Sequence, residues 1–249
     1  VILFVLLLAG LIYIDNTRDV HWSLYLLLFF VFSGIEFYGA CYINSGFHQK
    51  AICNVHSSDK LIAMTFDDGP ALQTEKILKV LAEFDAKATF FCIGKHIKGK
   101  EEILKKIDAD GHLIGNHSYS HGFFIDLKNT RSLVNDLELA NSEIKKVIGK
   151  SPVFFRPPYG VTTPGLARAT KKLNFKVIGW NIRSLDTRIK DKQEVLSRIK
   201  KRLKPGSILL LHDTIAGTEI VLKELFLYLK EQNYKVVALD QLIHEKAYA

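Results

Sequence analysis

Apolar side chains are distributed along this chain in two regimes, with the change falling near residue 58. Residues 1–14 are unbroken apolar sequence, and residues 22–43 form a second apolar stretch whose only charge is Glu36. At ~1.5 Å per residue, a helix over the second stretch is roughly 33 Å long, enough to cross a ~30 Å hydrocarbon core. The polar residues 15–21 read as a tight loop between two helices, so the expectation is a helical hairpin in a membrane, with a buried pair of soluble helices as the plainer alternative. A cleaved signal peptide explains two apolar segments poorly, because no small-residue cleavage pattern separates them from the downstream domain. The chain opens on Val rather than Met, and the first helix is read as the remainder of a longer span. Trp22, Tyr38 and Tyr42 stand near the ends of the second stretch, where amphipathic rings favour an interface.

From residue 61 the pattern alternates. Short runs rich in β-formers at 61–66, 88–93, 113–117, 153–155, 177–180, 207–212 and 235–238 are separated by stretches in which Ile77/Leu78/Leu81, Leu133/Leu137/Ala140/Ile144 and Leu222/Leu225/Leu229 keep helical spacing. Continuous apolar strands between helices imply a parallel sheet covered by helices. The spacing suits an α/β fold of the distorted (β/α)7 barrel type, TIM-like and smaller than the eight-unit form of ~250 residues, with an open doubly wound sheet as the alternative. The chain thus divides into a membrane anchor over 1–43, a linker over 44–58 and a catalytic domain over 59–249. In either topology function gathers at the carboxyl ends of the strands. Asp67 and Asp68, His117, Arg156, and His212 with Asp213 all stand there.

Composition sharpens this picture at one point. The 249 residues carry 34 basic and 26 acidic side chains, a net charge of +8, and only Arg18, Lys50, Asp15, Asp19 and Glu36 precede residue 59, so the domain itself carries +9. Its lysines scatter over helices without aromatic interleaving, which argues against nucleic acid and for a solvated basic face or one drawn to anionic wall polymer or headgroups. Charge in the short loops is too balanced to orient the hairpin. Cys41, Cys53 and Cys92 form no CxxC, and buried free thiols are the expectation.

The motifs are ambiguous one at a time. Asp67 and Asp68 precede Gly69-Pro70, and adjacent carboxylates repel unless a cation or shared proton intervenes, although Asp, Gly and Pro also make ordinary solvated turns. His117 and His121 stand at i and i+4, which on a helical turn would aim both imidazoles the same way; two unconnected surface histidines are the plain reading. With Asp68 they make one carboxylate and two imidazoles, leaving coordination positions for water and substrate. Arg156 heads a stiff Pro157-Pro158 loop, and His212 ends a buried strand where a core histidine would be equally at home.

Taken in order, TFDDGP, HSYSH, RPPYG, SLD and LLLHD resemble the polysaccharide deacetylase family, the NodB-homology or carbohydrate esterase family 4 enzymes, over roughly residues 59–245. The resemblance implies a distorted (β/α) barrel and metal-dependent removal of N-acetyl groups from a glycan such as peptidoglycan, chitin-like or exopolysaccharide chains. It implies Asp67 as base, Asp68, His117 and His121 as ligands of one divalent ion (zinc, or cobalt or another), Arg156 orienting Asp67, and His212 as acid tuned by Asp186. Tyr159, through its backbone N-H, Leu210 at the acetyl pocket and Pro157 fall on the substrate side. The fourth motif departs from the family's D-S-x-D-W, because Arg183 and Thr187 replace its first Asp and its Trp. That leaves the chemistry intact and changes the pocket. Deacylation of a lipid-linked sugar, O-deacetylation of xylan-type esters and non-catalytic glycan binding are the competing functions. No protein partner is implied, and exported substrates favour an envelope-facing domain on an integral anchor.

Overall fold

The computed structural model describes residues 2–249, so Val1, where the first apolar stretch begins, lies outside the described residues. In chain order the elements are α1 (Ile2–Asp15), α2 (Ser23–Cys41), β1 (Leu61–Asp67), α3 (Thr74–Glu83), β2 (Thr89–Cys92), α4 (Gly94–Ile97), α5 (Glu101–Ala109), β3 (Leu113–Asn116), α6 (Thr130–Ile148), β4 (Phe154–Phe155) and α7 (Pro164–Lys172). After these come β5 (Lys176–Val177), β6 (Ile182–Arg183), α8 (Lys192–Arg202), β7 (Ser207–His212), α9 (Thr218–Glu231), β8 (Lys235–Val236) and α10 (Leu239–Ile243). All seven expected runs contain a strand; the eighth, β6, was not foreseen. Local chemistry sets the helix ends: Asn129 caps α6 by accepting from the Ser132 N-H, Thr163 caps α7 ahead of Pro164, and Asp191 caps α8.

The sheet runs β5-β4-β3-β2-β1-β7-β6, with β8 pairing the start of β1, and every named pairing is parallel. It is a half-barrel. The edge strands β5 and β6 do not pair with each other; the seam is partly filled by residues 52–55, where Ile52 exchanges backbone hydrogen bonds with Val177 and Gly179 and the Val55 N-H donates to Gly206. Gly206, at φ 75°, lies so close to the Val55 carbonyl that a side chain there would collide with backbone.

Strand periodicity sorts the core. On β1, Ile62, Met64 and Phe66 pack outward with Leu209 and Leu211 of β7 beneath the helices, in the cluster that includes Leu81, Leu104 and Leu225. Ala63 packs inward with Phe91, Phe154, Ile178 and Ile208, over Leu239 and Leu242 of α10. The next inward positions toward the carboxyl end are Thr65 and Asp67 on β1, and Leu210 and His212 on β7.

The first two helices stand apart from this core. They touch each other, with Phe4 stacked on Phe32 at 4.3 Å and the Tyr25 hydroxyl donating to Asp15, but α2 buries only Gly39. Leu3, Leu6, Phe30 and Phe37 are more than 60% exposed, which corrects the alternative of a buried soluble pair. Among the described residues one helix, Ser23–Cys41, is long and apolar enough to cross a membrane; the apolar part of α1 is shorter. The end of α2 docks on the domain, where the Thr162 N-H donates to Ala40 and its hydroxyl to Gly39. Cys41 is exposed there, contrary to the expectation of a buried thiol, whereas Cys53 and Cys92 are buried and free.

Candidate active site

Register brings the motifs together. β1 and β7 run side by side from Ile62 opposite Ser207 to Asp67 opposite His212, so Asp67 and His212 leave the sheet level with each other. On the other side Asn116 stands opposite Phe155, so His117 and Arg156 emerge as neighbours one residue later. Four motifs separated by up to 145 positions thereby open into one cup at the carboxyl end of the half-barrel.

Asp67 is 4% exposed, and its Oδ1 accepts from Arg156 Nη1 at 2.7 Å. Arg156 is fully buried, and four of its five N-H donors go to Thr65, the Ile178 and Gly179 carbonyls and Asp67, with the Phe91 ring 4.2 Å from the guanidinium. A buried cation so fully committed fixes the rotamer of its one carboxylate partner. The other oxygen, Oδ2, lies 3.7 Å from His117 Nε2.

Asp68, His117 and His121 offer ligand atoms that all lie within 4.8 Å of one another. Asp68 Oδ1 is 3.5 Å from His117 Nε2 and 3.4 Å from His121 Nε2. The two histidines do not share a helical turn, correcting the expectation from their spacing. The chain leaves β3 into a tight loop in which Ser118 (φ 64°) and His121 (φ 43°) adopt left-handed conformations, as does Asp68 (φ 76°). Non-glycine residues rarely occupy that region, and such outliers cluster where side chains must be aimed. Asn116 and Asp136 hold the loop through the backbone N-H groups of Ser118, Tyr119 and Ser120. His117 Nδ1-H donates to the Arg156 carbonyl at 2.7 Å, which leaves Nε2 as the free lone pair.

The electrostatics suit a cation. Although burial opposes its charge, Asp68 is held well below the usual carboxylate range by its hydrogen bond to His117 and by the charges of His117, His212 and His121. Burial also works against a charged His117, yet Asp67 and Asp68 raise it, while burial and the His117 charge push His121 down to about 4. One carboxylate and two imidazoles with converging lone pairs, one imidazole tautomer fixed by a backbone carbonyl, are donors that fit a divalent ion such as zinc.

His212 faces the same cup, its Nε2 4.0 Å from Asp68 Oδ2. Its Nδ1 lies 2.7 Å from Asp186 Oδ1, while Asp186 Oδ2 accepts the His212 backbone N-H and Oδ1 also accepts the Ser184 hydroxyl. Burial disfavours the imidazolium, but the Asp186 hydrogen bond, the Asp186 charge and the charges of Asp67 and Asp68 outweigh it and raise the His212 pKa. Thus one cup holds a carboxylate whose rotamer is fixed by a buried cation and an imidazole whose charged form is favoured.

On the substrate side Tyr159 has a left-handed backbone (φ 58°) and a half-exposed ring 4.8 Å from that of His121, with Pro157 and Pro158 buried behind it. Leu210, 2% exposed, lies inward on β7 opposite Thr65. Thr187 is exposed. Sequence reasoning gave no role to Trp180, whose ring lies 5.6 Å from the Arg156 guanidinium and against Gly160, and named Asp213, buried under the Asp67–Gly69 turn, only as a strand-end residue. A strand-end position next to a motif was the only signal available for either.

Comparison with known proteins places these residues among relatives. The model of the family described as polysaccharide deacetylase matches residues 54–178. A peptidoglycan-N-acetylglucosamine deacetylase of Bacillus cereus is 36% identical over 200 residues, 74% of this chain and 71% of its own length. The peptidoglycan-N-acetylmuramic acid deacetylase PdaA of Bacillus subtilis is 31% identical over 196 residues, 77% of this chain and 74% of its own. Among solved structures, the Bc1960 peptidoglycan N-acetylglucosamine deacetylase superposes with a TM-score of 0.75 at 27% identity, covering 79% of this chain and 94% of that one.

Proposed function

The chain belongs to the polysaccharide deacetylase family, and from that premise we propose that it is a membrane-tethered hydrolase that removes acetyl groups from the amino sugars of a peptidoglycan-type glycan, releasing acetate. The observation that carries this reading is the pairing in one cup of a fixed carboxylate, Asp67, with a carboxylate-backed imidazole, His212, beside the Asp68–His117–His121 donor set.

An amide is a poor electrophile with a poor leaving group, so its hydrolysis needs an activated water, a held oxyanion and a proton for the departing amine. Asp68, His117 and His121 would hold a divalent ion, zinc first and cobalt next, which when bound supplies Lewis acidity and brings the pKa of water toward ~7. Asp67, its geometry set by Arg156, takes the proton from the attacking water. The Tyr159 N-H, on its stiff proline-backed turn, donates to the oxygen that becomes negative, a contribution of the order of ~3 kcal/mol in comparable sites. His212 hands its proton to the sugar nitrogen as the carbon–nitrogen bond breaks, and Leu210 and Pro157 wall the space for the acetyl methyl. Base and acid must start in opposite protonation states at one pH; Arg156 orients the base, and Asp186 favours the charged form of the acid. A protein that only bound glycan would need neither.

The tether is α2, with α1 folded against it as the other arm of a hairpin, and the domain faces the envelope, where N-acetylated wall polymers lie. The test of the reading is acetate release from N-acetylated wall oligosaccharides by metal-stripped protein, then with zinc or cobalt returned, beside Asp67→Asn. Chelation should abolish turnover and metal restore it, while Asp67→Asn keeps its metal and loses ~10²- to 10⁴-fold in rate. Full activity of the stripped protein would overturn the mechanism.

A further inference from the structure

At the seam, where β5 and β6 fail to pair, a pocket of about 200 Å³ opens between the end of α2 and helix α8. Tyr42 and Asn44 line one wall, Arg198 and Arg202 of α8 line the other, and Arg183, Trp180 and Tyr159 connect it to the cup. Three arginines converge here without a carboxylate. The only arginine ion pair among the described residues is that of Arg156 with Asp67. Instead Arg198 Nε donates to the Arg183 carbonyl at 2.9 Å, and the Arg183 guanidinium lies 5.9 Å from the Trp180 ring. Partial burial and the like charges of Arg188 and Arg198 lower the Arg183 pKa, ahead of the opposite pull of Asp186 and Asp67. Arginines gathered on one wall with no carboxylate among the lining residues favour an anion, and the planar arginine fork matches phosphate bidentately.

Two features bear on what such a group would be attached to. Tyr159 belongs to both pocket and cup, since it lines the pocket and its ring lies tilted against that of His121 at 4.8 Å, so a group bound by the arginines can be joined to a sugar whose acetamide reaches the metal ligands. The pocket also begins at Cys41, the last residue of α2. A 19-residue helix spans ~28 Å, close to the ~30 Å hydrocarbon core, so its ends lie at headgroup level.

Resting on the deacetylase reading above, we propose that the seam pocket receives a phosphate group joined to the sugar being deacetylated, so that the substrate is a glycosyl phosphate presented by a membrane lipid. Arg183, which stands where the family usually has an acidic residue, is then a specificity determinant: a carboxylate there would repel the phosphate.

The test uses the full chain in lipid nanodiscs, loaded with zinc, and one N-acetylated oligosaccharide in three forms: plain, carrying a soluble reducing-end phosphate, and carrying that phosphate esterified to a long-chain alcohol. Both phosphorylated forms should have a KM about tenfold or more below that of the plain form, the scale of one or two charge-assisted hydrogen bonds. In Arg198→Gln/Arg202→Gln, and more weakly in the exposed single variant Arg202→Gln, the ratio should fall toward one. Equal KM for plain and phosphorylated sugar in the wild type overturns the proposal. So does a preference confined to the lipid form that survives the double variant, which would mean simple membrane contact. A KM that tracks anionic-lipid content equally for all three forms would assign the pocket to bulk headgroups and overturn it too. Calorimetric binding of plain and phosphorylated sugar reads the same ratio without turnover. A protein that hydrolyses none of the three would therefore refute the deacetylase reading while the binding ratio still decides the pocket.

Discussion

Replacing Asp186 by Asn removes one charge and almost no volume from beneath His212. The amide oxygen can still accept from His212 Nδ1, so the ring keeps its tautomer; lost are the anion 2.7 Å away that stabilises the imidazolium and the acceptor of the His212 backbone N-H, which the amide nitrogen now faces. At an effective dielectric constant near 20, a pair of unit charges about 4 Å apart is worth ~4 kcal/mol as an upper bound. Asp67 and Asp68 continue to favour the charged ring. The His212 pKa is therefore expected to fall, by less than that bound. The sign comes from the role: an acid must hold its proton, so kcat falls as pH rises through the His212 pKa, and lowering that pKa moves the alkaline limb of the profile to lower pH. Measured on zinc-loaded protein with acetate release as readout, Asp186→Asn should lose more activity at pH 8 than at pH 6, with metal content unchanged and partial recovery in Asp186→Glu. An alkaline limb that stays in place while the rate drops uniformly would show that Asp186 does not act through His212, and the assignment of the acid would fall with it.

Much of this site was legible because a buried parallel strand is written in the sequence twice, as an apolar run and as the polar residue on which it ends. Asp67 closes one such run and His212 another, and since side chains alternate between faces, both had to point the same way once β1 and β7 paired in register. What could not be read depends on backbone geometry or on contacts remote in sequence. The spacing of His117 and His121 suggested a helical turn, whereas their convergence depends on left-handed Ser118 and His121, which no residue preference signals. β6 has only two residues and no periodicity to detect. The seam is invisible in sequence for a related reason: the pairing of 52–55 with strands more than a hundred residues away is set by which edge the half-barrel leaves open. Arg183 was noticed as a departure from the fourth motif, but its meaning required Arg198 and Arg202, one helical turn apart on α8, to be brought to the same wall.

Two further outcomes are expected from groups buried beneath the cup. Arg156→Ala should cost ~3 to 5 kcal/mol of stability in denaturant unfolding, because it strands the buried Asp67 carboxylate, and a cost under ~1 kcal/mol would mean that Asp67 has another partner. Asp213 reports through pH. It is fully buried; its Oδ2 accepts the Thr74 hydroxyl while Oδ1 has no partner, and burial foremost, with the charges of Asp68 and Asp67, pushes its pKa up to about 7. An unfolded chain holds this carboxyl near ~3.9. Between those values the folded state binds the proton and the unfolded state does not, so stability must fall as pH rises from about 4 to about 7, by a few kcal/mol in all. Asp213→Asn presents a permanently neutral group of the same shape and should flatten that slope, becoming the more stable protein at pH 7.5 while differing little at pH 4.5. Urea midpoints of the metal-free wild type and variant at the two pH values make the comparison, and parallel pH dependences would show that Asp213 is ionised in the fold, held by a cation or donor other than Thr74.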